Sequence, residues 1–148
     1  MFKRIGVIGA GAMGRGIAQL FASSGQQVLL FDTRKEAIDD ALAFNRNLLQ
    51  RAQAKGKMTE AELEATVARM QPAAQLTDLA ECDLVIEAIV ELLEVKQKLF
   101  ADLEAIVSAD CVLATNTSSL SVTAIAAACQ HPERVIGFHF FNPVPLMK

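Results

Sequence analysis

A chain of 148 residues, 52% hydrophobic and 21% charged, suits one domain around one core and argues against disorder. A net charge of −3, dispersed basic residues and the absence of Trp and Tyr exclude the electrostatic footprint and stacking platform of a nucleic-acid binder. No run reaches the roughly 18 apolar residues of a membrane span, and Arg15 with glycines at 6, 9, 11, 14 and 16 interrupts the one stretch resembling a secretory leader, so a cytoplasmic protein with no membrane partner is expected.

In chain order, residues 5–8 form a short apolar run with Gly6 inside it and Gly9 at its end, which reads as a buried strand. Met13, Ile17, Leu20 and Phe21 then recur at helical spacing over 12–24, and Gly25 is a stop. A second strand spans 28–31 and ends at Asp32. The separation of these strands is too long for a hairpin and right for a crossover helix, so they should be parallel. From 34 to 54, apolar residues at 37, 38, 41, 42, 48, 49 and 52 mark one face of a long helix. Lys55-Gly56-Lys57 breaks it. Thr59 and Glu62 form a capping box that starts another helix, to about Met70. These two helices make a hairpin inserted between strands. Pro72 ends the segment, and a short third strand is predicted near 74–76.

The next strand is 83–88 (DLVIEA), followed by a helix marked by Leu92, Val95, Leu99, Leu103 and Ile106. A strand at 111–114, a short helix at 122–128 and a last strand at 135–138 complete the alternation. The class is α/β, with a Rossmann-like, doubly wound, mostly parallel sheet. Three cysteines, Cys82, Cys111 and Cys129, lack CxxC spacing and read as reduced core residues. Residues 140–148 (FFNPVPLMK) are apolar and turn-rich, which implies a missing partner segment packed against them.

Gly9-Ala10-Gly11-Ala12-Met13-Gly14 matches G-x-G-x-x-G between a predicted strand and a predicted helix, the context a phosphate cradle requires. Gly9 permits the tight turn, Gly11 lets backbone approach a pyrophosphate, and Gly14 lets the helix sit close to the sheet. The first amides of that helix and its positive dipole end would face the phosphates. Asp32 can accept hydrogen bonds from both adenosine ribose hydroxyls and would repel a 2′-phosphate, which favours NAD over NADP.

Three further polar clusters follow later strands, at the edge where such sheets bind ligands. Glu87, Glu91 and Lys96 form one; Glu91 and Lys96 read equally as a solvated helix surface. Asn116-Thr117-Ser118-Ser119 forms the second, and reads also as a turn with a helix N-cap. His139 and Asn142 form the third; the histidine suits a base that removes a hydroxyl proton at neutral pH, or a place in an aromatic core. Arg46, Arg51, Lys55 and Lys57 on the hairpin read as a solvated face or as a phosphate contact.

The segments GAGAMGRGIAQLFASSG, VIEAIVELLEVKQKLFADLE, NTSSLSVTAIA and GFHFFNPVPLMK together resemble the 3-hydroxyacyl-CoA dehydrogenase family, of the 3-hydroxybutyryl-CoA type. The resemblance covers essentially the whole chain. It implies an NAD-dependent, reversible oxidation of L-3-hydroxyacyl-CoA to 3-ketoacyl-CoA in fatty-acid or related acyl-CoA metabolism. It implies His139 as catalytic base, Ser118 at the substrate hydroxyl and cofactor, and Asn142 at the nicotinamide and reacting centre. Gly9 to Gly14, Asp32, Glu91 and Lys96 match cofactor contacts, and Lys55 matches a lysine that touches coenzyme A. In the family a glutamate after the FNP segment orients the histidine, and a helical C-terminal domain closes the acyl site and forms a homodimer. This chain ends at Lys148, before both, so residues 1–148 are expected to be the NAD-binding domain, with cofactor binding but little or no turnover alone. The β-hydroxyacid dehydrogenases share the G-x-G-x-M-G start but lack the HFFNP piece, and a non-catalytic NAD-binding module is a further alternative.

Overall fold

The computed structural model describes residues 2–116 and 121–138. Six strands form one sheet: β1 (Arg4–Ile8), β2 (Gln27–Phe31), β3 (Met70–Pro72), β4 (Leu84–Glu87), β5 (Val112–Thr115) and β6 (Val135–Gly137). They lie in the order β3-β2-β1-β4-β5-β6, every pairing parallel. The connections are α1 (Ala12–Ser23), α2 (Lys35–Ala54), α3 (Glu60–Arg69), α4 (Leu93–Ile106) and α5 (Val122–Ala126), with 3-10 turns at Leu76–Glu81 and Pro132–Arg134.

The strands are apolar on both faces because both faces are covered. Ile5, Val7, Val28, Leu30, Leu84 and Ile86 join Ile17, Ala18, Ile38, Ala41, Leu49 and Leu63 from α1, α2 and α3 in one core cluster. Ile8, Val85 and Leu113 join Leu79, Phe100, Leu103 and Ile125 on the opposite face. The period of two along each strand thus feeds two separate cores. All three cysteines are buried and free. Burial pushes the Cys82 thiol up to about 12 and Cys111 up to about 11, which makes either a poor nucleophile.

The local signals act as expected at the helix ends. Gly25 follows α1 with φ +100. Thr59 Oγ1 accepts from the Glu62 amide at 3.1 Å while the Thr59 amide donates to the Glu62 carboxylate at 3.0 Å, so the capping box is complete. Among the described residues no helix is long and apolar enough to cross a membrane.

The third strand differs from expectation. It is Met70–Pro72, not 74–76, and begins the residue after α3 ends. Pro72 belongs to it because β3 lies at the sheet edge, where a missing N–H is tolerated. Ala74 and Gln75 instead donate their amides to the Asp78 carboxylate, which folds Leu76 into a 3-10 turn. The helix near 122 is capped by Ser121, whose Oγ accepts from the Ala124 amide at 3.3 Å, so that role does not fall on Asn116–Ser119.

Candidate functional site

One register line crosses the carboxyl edge of the sheet. Phe31 pairs with Ile8, Ile8 with Glu87, Glu87 with Thr115, and Thr115 with Gly137. The strand order reverses between β1 and β4, so a crevice opens beyond that line.

The glycine loop leaves β1 there. The Gly9 amide donates to Phe31 O at 2.8 Å, and its φ of +105 turns the chain away. A Cβ on Gly9 would lie 2.4 Å from Ala88 O, and one on Gly14 only 1.6 Å from Gly9 O. Gly14 is therefore required by contact with the loop's own carbonyl, a closer constraint than helix-to-sheet packing in general. Gly11 differs: a Cβ there would meet nothing within 4 Å. The space beside it is open to a ligand. Gly11 also caps α1 without a side chain, and the first turn carries no acidic residue. The first helical bond runs from the Arg15 amide to Gly11 O, so the amides of Ala12, Met13 and Gly14 have no acceptor within the helix. Gly11 and Ala12 are exposed and Met13 half-buried against the core.

Asp32 is built into this loop. Its Oδ2 accepts the Ala10 amide at 2.9 Å and its Oδ1 the Arg34 amide at 2.9 Å. Ala10 thus spends its N–H on orienting the carboxylate, and the remaining lone pairs of Asp32 are available to hydroxyl groups. Beside it opens a cavity of about 660 Å³, lined by Ile8, Gly9, Gly11, Phe31, Asp32, Thr33, Leu76, Ala88, Ile89, Val90, Val95, Lys98, Leu99 and Asp102. It is mostly apolar, with Asp32 on one wall and the Lys98–Asp102 pair (3.0 Å) on the other. Size and lining suit one flat apolar group carrying hydroxyls at one end.

On the β4–β5 side lies a buried ionic cluster. Lys96 Nζ is 2.8 Å from Glu87 Oε1 and 2.7 Å from Glu91 Oε1; the side chains of Lys96 and Glu87 are wholly enclosed, while 36% of that of Glu91 is exposed. Glu87 Oε2 accepts the Ile89 amide at 3.0 Å, and the Thr115 hydroxyl donates to Oε1. The solvated-surface alternative for Lys96 therefore fails. The sequence places Glu87 in this strand-end cluster, as a carboxylate ending an otherwise apolar run, but assigns it no cofactor or catalytic role.

Asn116 follows β5, its amide on Glu87 O at 2.9 Å, and Phe138 follows β6, its amide on Thr115 O at 3.0 Å. Both chain exits are on the crevice edge. Ser118, His139 and Asn142 lie outside the described residues. Lys55 is exposed at the end of α2 and does not line the cavity.

The glycine cradle, Asp32 and the apolar cavity together fit a dinucleotide: an anion on the amides, a ribose on the carboxylate and a base in the cavity. Residues 4–148 match the family model described as the 3-hydroxyacyl-CoA dehydrogenase NAD binding domain. The chain is 49% identical over 146 residues to the 3-hydroxyadipyl-CoA dehydrogenase of Escherichia coli K12, covering 99% of this chain and 31% of that protein. It is 45% identical over 148 residues to a 3-hydroxybutyryl-CoA dehydrogenase of Bradyrhizobium diazoefficiens, covering 100% of this chain and 50% of that protein. The crystal structure of a 3-hydroxybutyryl-CoA dehydrogenase from Escherichia coli K12 superimposes with a TM-score of 0.98 at 47% identity, over 100% of this chain and 31% of that one. The chain thus spans 31% to 50% of the length of these relatives.

Proposed function

The chain belongs to the 3-hydroxyacyl-CoA dehydrogenase family as its NAD-binding domain, and from that premise we propose that it carries the cofactor half of an enzyme oxidising L-3-hydroxyacyl-CoA to the 3-ketoacyl-CoA. The observation that carries the reading is the glycine cradle, whose open face at Gly11 adjoins Asp32 and the cavity. Ala12, Met13 and Gly14 would hold the pyrophosphate by their amides, Asp32 the adenosine ribose, and Glu91 and Lys96 the other half of the cofactor. Bound NAD supplies the acceptor for the hydride. His139 is the base that takes the hydroxyl proton, and Ser118 and Asn142 orient the oxygen and the ring, which converts an encounter into a near-attack geometry. Lys55 would touch coenzyme A. A helical domain C-terminal to residues 1–148 would close the acyl site, supply the histidine's glutamate and form a homodimer, in a cytoplasmic enzyme.

The test is a pair of assays. NADH titrated by fluorescence into this chain should saturate. Acetoacetyl-CoA reduction by NADH should be negligible with this chain and rapid in the protein extended through the helical domain, where His139→Gln should abolish it. Equal rates for the two lengths, or full activity of the His139→Gln protein, would refute the assignment.

A further inference from the structure

Glu87 ends β4 beneath the crevice with no exposed side-chain surface. Removing a carboxylate from water is costly unless its oxygens are paired, and among the described residues its partners come from three different elements. The Ile89 amide belongs to the turn after β4, Lys96 to α4 and Thr115 to the end of β5. Lys96 is equally enclosed, so its ammonium has little water to screen it and depends on Glu87 and Glu91.

Location gives this pair a consequence beyond packing. Asp32 ends β2, on one side of the point where strand order reverses, and the cavity beside it reaches from there to the turn after β4 and to α4. The two halves of a dinucleotide straddle that point. The adenosine half is thereby assigned to the β2 side and the nicotinamide half to the ends of β4 and β5, where Glu87, Lys96 and Thr115 sit. The nicotinamide ring is a cation when oxidised and neutral when reduced. An added unit of positive charge on that side would disfavour the oxidised form alone.

On the reading of the crevice as an NAD site, we infer that Glu87, together with Glu91, offsets the charge of Lys96 toward the nicotinamide half, and so favours binding of the oxidised cofactor. Enclosed as it is, Glu87 acts through Lys96 as a positioning residue. Thr115 and the Ile89 amide fix its two oxygens, so the compensating charge is held at the lysine.

The experiment measures the NAD⁺ and NADH dissociation constants of the intact chain, NADH by fluorescence and NAD⁺ by displacement of NADH. Glu87→Gln is nearly isosteric and adds one unit of positive charge to the cluster. NAD⁺ affinity should fall about tenfold further than NADH affinity, the scale of one partly screened unit charge. Glu87→Gln combined with Lys96→Met restores the charge and should return the ratio to within about threefold of wild type. A merely structural role would weaken both forms alike; that result, or an unmoved ratio, overturns the inference. Should Glu87→Gln give no cooperative melt, Lys96→Met decides, since it must move the ratio toward NAD⁺, and a ratio unmoved in it is equally fatal. Wild-type chain that binds neither form would instead refute the NAD site itself, an outcome recognisable before any variant is made.

Discussion

Gly11→Ala adds one methyl group where the protein has room for it and the bound anion would not. The backbone at Gly11 is extended, φ −75 and ψ −168, which any L-residue adopts, and no atom lies within 4 Å of the new Cβ. The native state is thus unstrained while the unfolded chain loses freedom, so stability should be unchanged or rise by about 0.4–1 kcal/mol. A phosphate oxygen reaching the first amides of α1 passes over this Cα, and the methyl would hold it off. Losing one charge-assisted hydrogen bond costs about 1.5–3 kcal/mol, or roughly 10- to 150-fold in NADH dissociation constant. Gly14→Ala is the counter-case. Its Cβ would fall 1.6 Å from Gly9 O, a backbone atom, so the loop itself must move. That variant should lose about 1–3 kcal/mol or more of stability. Thermal melts and NADH titration of both variants check the argument. A Gly11→Ala protein that binds NADH like wild type would show that the cradle is not where the pyrophosphate lies. One that melts well below wild type would show that the open space at Gly11 is filled in solution.

Two further outcomes follow from local chemistry. Thr59→Ala removes the hydroxyl acceptor of the Glu62 amide and should cost about 1 kcal/mol, visible as a melting point lowered by about 3 °C, with NADH affinity untouched. The buried thiols predict an alkaline weakness: Cys82 and Cys111 are held neutral up to about 12 and 11, whereas in the unfolded chain a thiol ionises near 8.5. Their contribution is therefore full below that range and lost as pH rises toward 11–12. Melting points recorded from pH 7.5 to 10.5 should fall at the alkaline end, less so in Cys82→Ala, and a thiol reagent at pH 8 should label neither residue before unfolding.

Much of the fold was legible because its signals are local. The glycine spacing needs only the strand before it and the helix after it, and Thr59 with Glu62 closes its own box three residues apart. What stayed hidden depends on distant partners. β3 is three residues long with a proline, so neither periodicity nor composition marks it; only pairing with β2 makes it a strand. For Lys96 the sequence leaves a solvated surface and a place in the strand-end cluster equally open; the docking of α4, which sets its ammonium between Glu87 and Glu91, decides for the cluster. The cap at Ser121 lay just beyond the polar run that invited the assignment. Asp32 was foreseen as a carboxylate at a strand end, but not that the Ala10 amide would orient it, because that contact joins two loops 22 residues apart.

The proline in β3 also governs how this sheet meets other chains. Ala73 N–H points inward to Leu30 O at 2.9 Å, so strand alternation turns the amides at 70 and 72 outward. Position 72 has no hydrogen to give, and the Met70 amide is already spent on Val67 O at the close of α3. A foreign strand drifting alongside finds acceptors there but no donors, and cannot zip into a seventh rung. That flank of the molecule is insulated against edge-to-edge assembly by one imino acid and one helix terminus.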